Sequence, residues 1–90
     1  MRLIDEAILR ELRGKHLLLV FDKAGTRALE VNNSFAFLWN KVVGTDFSAD
    51  DLVSALCEEY GIEPEQARED VLNTISIWEE KHLLKADETL

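Results

Sequence analysis

A chain of 90 residues, 47% hydrophobic and 31% charged, with four glycines and one proline, has room for one compact domain over residues 1–90 and too little apolar deficit for disorder along most of its length. Eighteen Asp and Glu against ten Lys and Arg give a formal charge of −8, which argues against a non-specific grip on nucleic acid or anionic lipid. One cysteine, Cys57, rules out an internal disulfide, no apolar run approaches the roughly 20 residues that span a bilayer, and the opening Met1-Arg2-Leu3-Ile4-Asp5-Glu6 lacks a signal-peptide apolar segment. A reducing cytoplasm is the expected compartment.

The first third of the chain reads as strands. Ile8, Arg10 and Leu12 alternate with Leu9, Glu11 and Arg13, and after the Gly14-Lys15 break comes the apolar run His16 to Phe21, so a hairpin is expected. The turn formers Asp22 and Gly25 lead into Arg27-Ala28-Leu29-Glu30-Val31, where Leu29 and Val31 point one way and Ala28 and Glu30 the other. Three antiparallel strands are expected over about 7–13, 16–22 and 27–31.

After Asn32 the apolar period lengthens to that of a helix, with Phe35, Leu38, Trp39, Val42 and Val43 on one side and Gly44 at the end. Asn32 or Asn33 supplies the cap oxygen. The next helix opens on Ser48-Ala49-Asp50-Asp51, where Ser48 and Asp51 can bond each other's amides, carries the stripe Leu52, Val53, Leu56 and Tyr60, and closes at Gly61. The third opens at Glu63-Pro64, where a missing N–H costs nothing, and runs to about Lys81 with Ala67, Val71, Ile75 and Trp78 inward. The short polar tail from Lys85 to Leu90 is expected to fray. Three strands followed by three helices, the last two joined by the tight Gly61-Ile62-Glu63 turn, predict an α+β domain laid out as a winged helix-turn-helix.

Enzymatic constellations are thin. Cys57 sits mid-helix beside acids that do not activate a thiol and reads as core or half-buried filler. His16, His82 and Cys57 have no metal spacing, no glycine loop can cradle a phosphate, and Asp50-Asp51 and Glu58-Glu59 are helix neighbours about 100° apart, which cannot converge as an acid and base. No catalytic residue, metal or cofactor is expected. Trp39 and Trp78 fall on helical stripes and read as core.

Charge also bears on nucleic acid. Residues 1–44 carry seven Lys/Arg and five Asp/Glu, a net of +2, and residues 45–90 carry three and thirteen, a net of −10. In a helix-turn-helix the N-terminal half of the second helix enters the major groove. Here that stretch is Glu63 to Asp70, with four carboxylates and one guanidinium, which duplex phosphates should repel. A transcriptional regulator is therefore the second reading, and a module docked to a larger enzyme a third. The first is a peptide-binding adaptor. The third strand, last in its meander, is a free edge whose backbone can accept an extended peptide. Side-chain contacts would come from the trough between Arg27, Leu29 and Val31 and the helix flank of Asp70, Asn73, Thr74, Ile77 and Lys81. Ile77 stands off the inward stripe, either as a wider core face or as a guest contact.

Val31-Asn32-Asn33-Ser34-Phe35-Ala36-Phe37-Leu38-Trp39-Asn40 with Gly44, then Asp51-Leu52-Val53-Ser54-Ala55-Leu56 with Tyr60, then Asp70-Val71 and His82-Leu83-Leu84 together resemble the PqqD family over about residues 8–84. The resemblance implies a winged helix-turn-helix that serves as a peptide chaperone in the biosynthesis of ribosomally made, post-translationally modified peptides. It implies binding of a precursor's leader as an added strand, and its presentation to a modifying enzyme, which in the namesake pathway to pyrroloquinoline quinone (PQQ) is a radical S-adenosylmethionine enzyme. Carried onto this sequence, the strand is Arg27, Ala28, Leu29, Glu30 and Val31, and the helix flank is Asp70, Asn73, Thr74 and Ile77. Two positions depart from the family pattern: His82 stands where Gly is common, and Val31 where Leu is.

Overall fold

The computed structural model describes residues 1–85; the rest of the tail expected to fray lies outside the described residues. In chain order come strands β1 (Ala7–Leu12), β2 (Lys15–Asp22) and β3 (Gly25–Val31), then helices α1 (Asn33–Val42), α2 (Ala49–Tyr60) and α3 (Pro64–Glu80). This is the α+β order that the alternation of periods implies. The strands form one antiparallel sheet in the order β1-β2-β3, so β3 is an edge.

Local chemistry explains each boundary. Leu12 pairs with Lys15 across a two-residue turn in which Arg13 and Gly14 both have positive φ, 54° and 78°. That handedness matches the twist of the strands it joins, and it places Lys15 in β2 rather than in the turn. In the second turn the Asp22 carboxylate accepts the Ala24 N–H at 2.9 Å, and Gly25, φ 129°, pairs with Asp22; β3 therefore begins two residues before Arg27. The Asn32 side chain caps α1 by accepting the Phe35 N–H at 2.8 Å. Ser48 and Asp51 form the reciprocal box at the start of α2, and Gly61 closes that helix in the left-handed region.

The end of α3 resolves the unusual histidine. His82 adopts φ 59°, its N–H donates to Glu79 O at 3.1 Å, and the next N–H, of Leu83, donates to Trp78 O at 2.7 Å. This pair of bonds defines a Schellman ending, whose left-handed position is ordinarily glycine. His82 holds that position at a steric cost of about 1 kcal/mol, and the wholly buried Leu83 and Trp78 supply the accompanying apolar contact.

Trp78 is the hub of the core. Its indole meets Phe35, Trp39 and Phe47 edge-on, with centroids at 5.9, 6.1 and 5.8 Å. Ala7, Leu18 and Val20 come from the inner face of the sheet, and Leu38, Leu52, Leu56, Ala67 and Val71 from the helices. A bridge between Leu3 and Leu84, with Ile4 N–H on Leu83 O at 2.9 Å, ties the end of α3 to the approach to β1. Cys57 is half-buried against the core.

Candidate functional site

The register determines which backbone groups β3 leaves free. The Phe21 N–H points toward the β1 side, where it donates to Glu6 O at 2.8 Å. The odd-numbered residues of β2 therefore bond β1, and the even-numbered residues His16, Leu18, Val20 and Asp22 bond β3 through their partners Val31, Leu29, Arg27 and Gly25. The N–H and C=O groups of Thr26, Ala28 and Glu30 consequently face outward, away from the sheet. Leu29 and Val31 spend their backbone bonds on β2 and turn their half-buried side chains toward the core.

Alongside this edge runs a hollow of about 370 Å³, walled by Ala28 to Val31 on one side and by Ile77 and Lys81 on the other, with Asn32 and Phe35 at its end. α3 makes its main packing with α2, which leaves it standing off β3 and the space between them open. Ile77 is 43% exposed, one position round the helix from wholly buried Trp78. Its side chain belongs to the wall of the hollow.

The expected site residues thus separate. Ala28, Leu29, Glu30, Val31 and Ile77 come together around the hollow. Arg27 lies at the far end of the edge, paired to Asp22 at 3.4 Å and lining a different depression with Ile4, Phe21 and His82. Asp70, Asn73 and Thr74 share the Ile77 face of α3 but sit nearer its start, outside the hollow. Asp70 accepts from Gln66 at 3.1 Å, and the Thr74 hydroxyl donates to Asp70 O at 3.0 Å, so both are engaged within the helix.

Two walls of the hollow, Asn32 and Phe35, were not expected from sequence. Their signals point elsewhere: Asn32 reads as a cap and Phe35 as the first inward residue of α1. Both roles hold, and both residues close the hollow as well, because α1 starts directly where β3 ends.

A strand laid along β3 would bond Ala28 and Glu30. Its residues opposite Leu29 and Val31 would then turn their side chains into the hollow toward Ile77 and Lys81. The site is thus suited to an extended segment with apolar side chains at alternate positions. The opening of α3 offers little to DNA by comparison: its one cation, Arg68, is held by Asp50 at 3.0 Å among Glu63, Glu65, Glu69 and Asp70. Among the described residues no group of three or more His, Cys, Asp or Glu could hold a metal, and no helix is long and apolar enough to cross a membrane.

Comparison with known proteins adds three findings. The family model described as coenzyme PQQ synthesis protein D (PqqD) matches residues 17–84. The fold is similar to that of TbiB1 solved in complex with the TbiA(beta) leader peptide, with a TM-score of 0.76 and 17% identity over 99% of this chain and 100% of that one. It is also similar to lasso peptide synthetase B1 complexed with the leader peptide, with a TM-score of 0.73 and 20% identity over 94% and 96% of the two chains. No curated protein sequence matches.

Proposed function

The chain belongs to the PqqD family, and from that premise we infer that it is a non-enzymatic adaptor that takes the leader of a ribosomally made precursor peptide as a fourth strand on β3. The adaptor presents the bound precursor to a modifying enzyme in the cytoplasm, where such a peptide is made. The observation that carries this reading is the outward backbone of Thr26, Ala28 and Glu30 beside an apolar hollow: unpaired donors and acceptors provide affinity, and the adjacent hollow selects side chains. The two structural neighbours were each solved with a leader peptide, which supports the same assignment here. Within the proposed site, Ala28, Leu29, Glu30, Val31 and Ile77 make the direct contacts. Arg27, Asp70, Asn73 and Thr74 would be reached only by a guest that extends past the hollow at either end.

The test is calorimetric titration with the leader of a precursor encoded beside this chain's gene. Ala28→Pro removes an outward N–H and leaves the ladder to β2 intact, a placement that edge strands tolerate. Affinity should fall by about tenfold or more, as expected for one or two lost backbone bonds, with the circular dichroism spectrum unchanged. Retained affinity in a folded Ala28→Pro chain contradicts strand addition at this edge.

A further inference from the structure

We propose that the segment taken up beside β3 carries an apolar residue and, two positions away, a Glu or Asp whose carboxylate pairs with Lys81. This inference rests on strand addition at β3 and names the chemistry that the added strand must bring.

The hollow contains one unopposed charge. Glu30 and Lys81 are the two charged residues on its walls. Glu30 follows the inward Leu29, so its side chain leaves from the outer face of the sheet, where Lys15 holds its carboxylate at 3.5 Å. Lys81 has no ion-pair partner among the described residues. Its own helix offers none, because the positions three and four before it, which share its face, are Trp78 and Ile77. Glu80 and Glu79 leave the helix about 100° and 200° away from it. In a chain of net charge −8 the hollow is therefore locally positive. The neighbouring depression holds Glu6 and Asp22 beside Lys23 and Arg27, two of each sign, and selects no charge.

Spacing fixes where the carboxylate belongs. His82, next after Lys81, lines the depression that Arg27 also lines. The end of α3 thus runs against β3, with Lys81 toward Ala28 and Ile77 toward Val31. The Lys81 N–H still bonds Ile77 O at 2.9 Å, so the two side chains stand one above the other, about 6 Å apart along the axis. Inward side chains of an added strand repeat every two residues, about 6.6 Å. Successive inward guest residues therefore meet Ile77 and Lys81 in turn. The one opposite Val31 finds Ile77 and Phe35 and is apolar. The one opposite Leu29 rests its methylenes on that leucine and offers a carboxylate to the ammonium at the rim. A Lys or Arg there meets a like charge, and a Leu there sets hydrocarbon against the ammonium.

A cation at the end of α3 also complements the last carbonyls of the helix. That role would change melting on substitution but not the choice of peptide, and the test separates the two. The full chain and its Lys81→Glu variant are each used to select from a phage-displayed library of random peptides about twelve residues long, enough to cover the edge. Peptides that bind the parent and lose binding to Ala28→Pro should be enriched in Glu or Asp two positions from an apolar residue. Lys81→Glu should select Lys or Arg at that same place. In calorimetric titration of a selected peptide, replacing its acid by the amide should weaken binding to the parent about three- to fivefold, as for a half-exposed ion pair. The same replacement should change little against Lys81→Met, and the loss on the parent should shrink at about 0.5 M salt.

Peptides that need the Ala28 edge but show no acidic enrichment overturn the pairing and leave strand addition standing. So does an acid whose replacement costs as much on Lys81→Met as on the parent. Peptides that bind Ala28→Pro unchanged, or a library that yields no binder, count against strand addition itself, and this inference falls with it.

Discussion

Truncating Trp78 and its neighbour Ile77 separates what holds α3 in place from what that helix presents. Removing a wholly buried tryptophan costs about 3–5 kcal/mol. Three edge-on aromatic contacts, each about 0.5–1.5 kcal/mol beyond buried area, push Trp78→Ala toward the top of that range. Its Nε1, which has no hydrogen-bond partner among the described residues, works the other way, because deleting an unsatisfied buried donor returns about 1–3 kcal/mol. The net loss is about 2–4 kcal/mol, a large share of the roughly 5–13 kcal/mol that stabilises a domain of this size. At about 4–8 °C per kcal/mol, melting should fall by at least about 8 °C. Ile77→Ala removes three carbons from a side chain already 43% exposed, a loss of about 1 kcal/mol. Thermal denaturation followed by circular dichroism, with leader-peptide titration at a temperature where both variants are folded, checks the pair. Ile77→Ala should lose about tenfold in affinity while melting falls by only about 4–8 °C. If Ile77→Ala unfolds the chain and Trp78→Ala is spared, α3 is rotated by about 100° from the orientation described, and the hollow has the wrong wall.

His82→Gly should raise stability by about 0.5–1 kcal/mol, because glycine adopts the left-handed position without strain; an unchanged or lower melting temperature would contradict the Schellman account. The hydrogen bond from Lys85, at 2.8 Å, holds the Asp5 carboxyl below its ordinary value of 3.8. Its stabilising contribution is thus present above about pH 4 and lost as pH falls through the depressed value. The stability difference between the parent chain and Asp5→Asn should shrink on acidification in urea melts, and a difference independent of pH down to about pH 2 would refute the linkage. No salt-dependent gel shift should appear on duplex DNA at physiological ionic strength, since the opening of α3 carries four carboxylates and a guanidinium already paired to Asp50; micromolar binding would favour the regulator.

Most of the fold was legible because its boundaries rest on short-range chemistry. Ser48 with Asp51, Pro64 and Gly61 each act within one turn of their own position, and the three helices begin and end within about two residues of where those signals stand. The strand ends moved where backbone geometry, not side-chain pattern, decides them. Arg13 takes a left-handed turn position that sequence assigns to glycine or asparagine, and Gly25 joins β3 through its pairing with Asp22. The same limit applied to the site. Alternation reveals which side chains share a face, so Leu29 and Val31 were set on one side of β3 and Ala28 and Glu30 on the other, but it does not reveal which amides point off the edge. That depends on the register of the whole meander, which frees Ala28 and Glu30 and occupies Leu29. The face of α3 that bears Ile77 followed from helical period, whereas how far the hollow extends depends on the divergence of α3 from β3, which no local pattern encodes. Asp70, Asn73 and Thr74 therefore share the Ile77 face of α3 but stand outside the hollow.

Backbone amide hydrogen exchange, read residue by residue by NMR with and without the leader peptide, tests strand addition most directly. In the free chain the outward amides of Thr26, Ala28 and Glu30 should exchange rapidly, and those of Leu29 and Val31, bonded to β2, slowly. On adding peptide, Ala28 and Glu30 should become protected by at least about tenfold while Leu29 and Val31 change little. Saturating peptide that leaves Ala28 and Glu30 exchanging as in the free chain would contradict binding by strand addition at β3.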